Sequence, residues 1–264
     1  MKRIIIFLAI PLLVQSCSSI YIPANRSIPL LEKKGEFQGE AGVSTNSVYV
    51  NGSYAFTDDI AVSINGNLSY RNFTDYYDVL THKDDLSTSS FLLPDYRGQF
   101  AHRYGEVSLG KMNMLPPTFP MKMEVFSGMG MGRATDTDDS NNDNYYKSDY
   151  YSFFGQVNFG LKKRIVEAGG SMRLAYSMFN YAIYIENKEL LGQSKFHVFH
   201  AEPVIFARVG GKNLKAVFRV GLNFAFTINP IEEYAGLRGI NDHGRLEYTI
   251  FHFSVGMSYR ITGK

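Results

Sequence analysis

The 264-residue chain has one cysteine, no tryptophan and only nine prolines, and its charges nearly cancel, with 27 Lys and Arg against 25 Asp and Glu. One cysteine excludes an internal disulfide and any cysteine-based metal cluster. A formal net charge of +2 leaves no bulk basic field to recruit nucleic acid. No phosphate loop, zinc spacing or nucleotide fingerprint is present, so no cofactor is expected. The apolar stretch Ile4 to Val14 is too short to span a bilayer comfortably as a helix. A mean hydropathy of -0.15 would also argue against a membrane protein. A β-barrel escapes that argument, because only alternate residues of each strand face lipid.

What the chain does have is 20 Phe, 18 Tyr and 24 Gly, a composition suited to twisted strands and interfacial girdles. The length is enough for one all-β domain. Lys2 and Arg3 precede the apolar stretch, so residues 1–16 read as a targeting signal outside the fold. Its end, Val14-Gln15-Ser16-Cys17, resembles a bacterial lipobox: aliphatic, tolerant, small, then cysteine. The resemblance implies cleavage before Cys17 and acylation there. More than one acyl chain anchors stably, at about 0.8 kcal/mol per buried CH₂. An ordinary secretory signal with an incidental cysteine is the alternative. Residues 17–34, punctuated by Pro23 and Pro29, read as an extended lipidated tether leading from the lipid to the barrel on its periplasmic side.

From Gly35 to the end the dominant signal is period two. Phe37, Gly39, Ala41 and Val43 alternate with Glu36, Gln38 and Glu40; Leu214, Ala216, Phe218, Val220 and Leu222 alternate with Lys215, Arg219 and Asn223. Alternation sustained over a dozen residues and repeated between turns predicts strands. Ten are predicted, at approximately 36–44, 47–57, 60–72, 98–112, 121–133, 148–162, 165–180, 195–209, 213–227 and 245–261. Arg103 falls on the apolar face of the fourth, and a phase change near Ile250 and Phe251 in the tenth suggests a β-bulge.

Connection lengths favour a transmembrane barrel over a soluble sandwich. Those after the second, fourth, sixth and eighth strands are short, and those after the third, fifth, seventh and ninth are long (73–97, 134–147, 181–194 and 228–244). Short periplasmic turns, long extracellular loops and an even strand count put both termini in the periplasm. The polar face carries Glu36, Glu40, Lys122, Glu124, Glu167, Arg173, Glu202, Arg208, Lys215, Arg219 and Arg260, which would pair across a narrow lumen. Ten strands leave little open channel. The expected fold is an all-β, antiparallel up-and-down transmembrane barrel over 35–264.

The last strand, Ser254 to Ile261, resembles the C-terminal signal read by the barrel-assembly machinery, with Gly256, Tyr259 and Ile261 at its characteristic places. More broadly, Tyr21-Ile22-Pro23, Pro29-Leu30-Leu31, Lys34-Gly35-Glu36, Tyr54-Ala55-Phe56-Thr57 and Glu202-Pro203 resemble a family of uncharacterised Bacteroidetes outer-membrane barrel lipoproteins. That resemblance implies an outer-membrane location and no assigned activity. The implied partners are outer-membrane lipids and the barrel-assembly and lipoprotein-processing machinery. Ser18-Ser19-Ile20 lacks the acidic surface-export signal common in that family, which favours a lipid in the periplasmic leaflet.

Several residues invite chemistry. Asp84 and Asp85 in the first long loop, facing Asp242 and His243 in the last, are similar to the rim of omptin proteases, where carboxylates and an imidazole activate water. Solvated polar loops are the plainer account, since the groups sit in long loops and the surrounding sequence does not match that family. A lipid A deacylase would need Ser, His and a carboxylate at the rim; His102, His197, His200 and His252 lie in strands without that spacing. Asp136, Asp138 and Asp139 fall in an acidic loop able to bind Ca²⁺ weakly, although it lacks an EF-hand's glycine and Lys147 stands where the bidentate Glu belongs. The expectation is therefore a non-catalytic barrel with a structural or surface-interaction role, its loops open to an unidentified extracellular ligand. The alternatives are an outer-membrane hydrolase and a soluble periplasmic lipoprotein.

Overall fold

The computed structural model describes residues 21–45, 47–72, 98–116, 118–138, 144–185, 189–227 and 251–262. All regular elements among them are strands: β1 (Phe37–Ser44), β2 (Val48–Ala55), β3 (Ile60–Asn72), β4 (Gly98–Lys111), β5 (Met121–Asp138), β6 (Asn144–Lys162), β7 (Val166–Ile185), β8 (Glu189–Gly210), β9 (Leu214–Leu222), β10 (Phe224–Thr227) and β11 (Phe251–Ile261). Every neighbour pairs antiparallel, and β1 pairs with both β2 and β11 while β9 pairs with both β11 and β8, so the sheet closes on itself. β9 and β10 lie in one register against β8, with Val204↔Gly221 and Ala201↔Phe224, and form a single strand interrupted at Asn223. The result is a closed ten-stranded antiparallel barrel, as the alternation predicts.

The short turns at residues 56–59, 112–120, 163–165 and 211–213 share one end, here the lower, with the start of β1 and the close of β11. At the upper end two connections are much shorter than expected. β5 and β6 run on to Asp138 and from Asn144, and β7 and β8 to Ile185 and from Glu189, leaving only residues 139–143 and 186–188 between them. Sequence alternation fades there because outward positions turn polar (Arg133, Lys147, Asp149, Asn180), yet backbone pairing continues past the apolar zone. Asp136 and Asp138 consequently lie in β5, opposite Tyr146 and Asn144, and not in a loop. A calcium loop needs a curled backbone, and the backbone at Asp136 and Asp138 is extended and paired.

Polarity is inverted relative to a soluble barrel. Val50, Ile64, Leu68, Leu109, Met129, Leu174, Ile205, Phe218 and Phe253 project outward and are exposed, whereas Glu40, Glu106, Glu124, Glu167, Arg173, Arg208 and Arg219 are buried inside. The seam between β1 and β11 pairs Gly42 with Gly256. A Cβ on Gly256 would stand 2.5 Å from both the Ala41 carbonyl oxygen and Tyr49 Oη, so only glycine lets the two strands and the Tyr49 ring meet there.

Candidate functional site in the barrel lumen

The lumen is filled by the chain's own N-terminal segment. Tyr21 to Leu31 are all buried, contrary to the expected tether outside the barrel. The composition explains why: between Ser18 and Leu31 the only charge is Arg26, among Ile22, Ile28, Leu30 and Leu31. Such a segment is too apolar to remain solvated, and Pro23 and Pro29 keep it from joining a strand ladder. Its backbone groups must find other partners, and wall side chains supply them.

At the lower end, the amides of Leu30 and Leu31 donate to the Glu124 carboxylate of β5 at 3.1 and 2.7 Å, and Asn158 donates to it at 3.3 Å. Leu31 packs with Ala55, Ala61, Met112 and Phe126. Higher up, Arg208 and Arg260 donate to the carbonyls of Ile28 and Pro29 at 2.7 and 2.8 Å. Gln156 and Asn51 donate to those of Ser27 and Asn25 at 2.9 and 2.6 Å. The Ser27 amide donates to Asn65 at 3.2 Å, and its hydroxyl lies 2.7 Å from that of Ser53. Near the top, Arg26 bonds the Glu202 carboxylate at 3.0 Å and the Glu202 carbonyl at 2.7 Å, while Tyr21 Oη donates to the same carboxylate at 2.7 Å. The Tyr21 ring stacks on His200 at 4.0 Å and joins Tyr104, Tyr150, Phe179 and Phe196 in an aromatic cluster.

The wall charges pair around this segment, as low-dielectric burial requires. Glu167 meets Arg208, Lys215 and Arg260 at 3.2, 2.9 and 3.1 Å. Arg173 grips Glu106 through both terminal nitrogens at 2.7 Å, and Glu40 pairs with Arg208 and Arg219. At the lower rim, Glu32 is held by Lys162 and Lys122 at 3.3 and 3.5 Å. Partial burial alone would raise the Glu32 carboxyl, but the two ammonium groups outweigh it and keep it below its usual range. Below Glu32 the chain reverses at Gly35, whose φ of 78° suits a residue without a Cβ, and climbs as β1. The segment thus descends the lumen from Tyr21 to the rim before the barrel begins.

The residues singled out from sequence fall in several places. Cys17, Asp84, Asp85, Asp139, Asp242 and His243 lie outside the described residues, as do residues 245–250 and the phase change at Ile250. Tyr259 and Ile261 point outward and are exposed, on the strand that carries Gly256. His102, His200 and His252 face the lumen, with His102 Nε2 2.9 Å from Tyr150 Oη and His200 Nδ1 3.1 Å from Asn223. His197 faces outward against Tyr176. Among the described residues no group of three or more His, Cys, Asp or Glu is arranged to hold a metal. What the lumen contains is a set of paired charges and hydrogen bonds that hold the chain to its own wall.

No family model matches this chain, and no curated protein matches it.

Proposed function

We propose that the protein is an outer-membrane barrel lipoprotein sealed by its own N-terminal segment, with a non-catalytic role exercised at its upper end. The observation that carries this reading is the inverted polarity: an apolar outer wall around a charged interior that the segment Tyr21 to Leu31 fills. In water that wall would be an aggregation surface; in a bilayer it is the solvated one. A lumen packed with side chains and backbone is not built to conduct. The purified protein, folded in detergent and reconstituted in planar bilayers, is expected to insert without conductance steps and to run as a heat-modifiable band on gels. Stable conductance steps would sink the sealed reading, and a water-soluble monomer extracted without detergent would sink the membrane reading.

The segment also bears on the leaflet that an acyl chain on Cys17 would enter. Tyr21 stacks on His200, ten residues up β8 from Gly210. Strands rising about 3.3 Å per residue at a tilt near 40° put it about 25 Å above the lower end. Four residues from Tyr21 to Cys17 span at most about 14 Å. That reach favours the leaflet at the upper end over the periplasmic leaflet expected from Ser18-Ser19-Ile20. In the Ser19→Cys variant, labelling of intact cells by a membrane-impermeant maleimide is expected; labelling only after permeabilisation would return the lipid to the periplasmic side.

A further inference from the structure

The outer wall breaks its apolar rule in one patch at the upper end. Arg103 on β4, Arg133 on β5, Lys147 and Asp149 on β6, Asn180 on β7 and Lys195 on β8 all point outward. Strand pairing sets Arg103, Arg133, Asp149, Asn180 and Lys195 in one row across five neighbouring strands. The adjacent row toward the apolar belt is Gly105, Met131, Tyr151, Met178 and His197. Between the rows runs a groove of about 880 Å³. Its floor is kept open by Gly105, where a side chain would meet nothing within 4 Å.

Among the described outward residues of this patch, cations outnumber carboxylates. Arg133 and Lys147 share Asp149, with bonds of 3.2 and 3.1 Å. Among the described residues Arg103 and Lys195 form no ion pair, so the row carries a cation at each end, on either side of the group that Arg133 and Lys147 form with Asp149. Directly below them the wall is apolar and aromatic, with Met131 and Tyr151 exposed and Tyr176 stacked on His197 at 5.6 Å. Cations next to hydrocarbon are costly unless an anion meets them, and on the outer-membrane reading lipid head groups supply anions at this height.

We infer that this groove binds the head group of a glycolipid carrying more than one phosphate, in the leaflet nearest the upper end. The inference rests on the outer-membrane reading above. Arg103 and Lys195 stand four strand spacings apart, about 19 Å at 4.8 Å per strand. A single phosphate cannot touch both, whereas a multiply phosphorylated sugar head group presents charge along such a groove. Arg133 and Lys147, which meet Asp149, face its middle. Met131, Tyr151 and Met178 offer an apolar surface to the first carbons of its acyl chains.

The test uses the full-length protein in a zwitterionic detergent, with its fold checked by the heat-modifiable band. Binding is measured by native mass spectrometry with three probes: a diphosphorylated glucosamine-disaccharide lipid, its monophosphoryl form and phosphatidylglycerol. The diphosphoryl lipid is expected to bind best. Arg103→Gln combined with Lys195→Gln should weaken it at least tenfold, while Arg103→Lys with Lys195→Arg should keep most of the affinity. Equal binding by the wild type and the Gln pair, or equal binding of phosphatidylglycerol, overturns the inference. A chain that is water-soluble without detergent instead overturns the membrane reading, and this inference with it.

Discussion

Replacing Arg26 by Met should release the luminal segment without unfolding the barrel. The Arg26 guanidinium and the Glu202 carboxylate are both fully buried and bonded at 3.0 Å, with a second bond of 2.7 Å to the Glu202 carbonyl. Removing one member of a buried pair costs about 3–5 kcal/mol, because the other charge is left without compensation. Glu202 keeps the Tyr21 hydroxyl at 2.7 Å, so the lower figure applies. At about 1.4 kcal/mol per decade, 3 kcal/mol raises the opening constant of the segment roughly 100-fold. Hydrogen exchange read by mass spectrometry reports this directly, since the amides of Ser27, Leu30 and Leu31 are held by Asn65 and Glu124. Exchange in residues 26–31 should speed up by about that factor while strand amides stay protected. Adding Glu202→Met should restore part of the protection, because an apolar pair replaces the ionic one. Unchanged exchange in the segment would refute the claim that this pair holds it. Uniform acceleration across the strands would refute its independence from the wall.

Other outcomes follow from the wall and the rim. Val220 faces outward on β9, and Val220→Arg should lower stability in bilayers by about 2–4 kcal/mol if it lies near the midplane, as read by equilibrium urea unfolding. Gly256→Val should reduce the folded, heat-modifiable fraction, because its Cβ would meet Ala41 and Tyr49 at 2.5 Å and overpacking costs about 1–3 kcal/mol. Glu32 titrates below its usual range, so its pairing is fully present above the unfolded-state pKa and is lost as pH falls through the depressed folded value. Because Glu32 is partly exposed, the effect is under about 1 kcal/mol. Glu32→Gln should therefore show a slightly smaller loss of stability than wild type when unfolding is compared at neutral pH and near pH 3.

The strands were legible because each has one apolar outward face and one polar inward face, which imposes a period of two. β3 spans Ile60–Asn72, as alternation predicts, and β4, β7 and β9 begin within a residue of expectation. The upper reaches of β5 to β8 were less legible. Their outward residues turn polar there, so Arg133, Lys147 and Asp149 break the pattern while the backbone goes on pairing. Alternation marks the charges on the inward face but not their partners, since pairs such as Arg173 with Glu106 are 67 residues apart. The luminal segment is illegible for the same reason: it has no periodicity, and its bonds to the wall reach distant strands. Its apolar residues around a lone Arg26 were the available signal, being unsuited to a solvated linker.

The central claim, a membrane barrel plugged by its own N-terminal segment, is tested most directly by a covalent link between segment and wall. The Ser27 and Ser53 hydroxyls are 2.7 Å apart inside the lumen. In a Cys17→Ser background, Ser27→Cys with Ser53→Cys is expected to form an intrachain disulfide in isolated outer membranes under mild oxidation, leaving neither thiol open to a maleimide-polyethylene glycol. Two freely alkylated thiols in a protein that still shows the folded band would contradict the account.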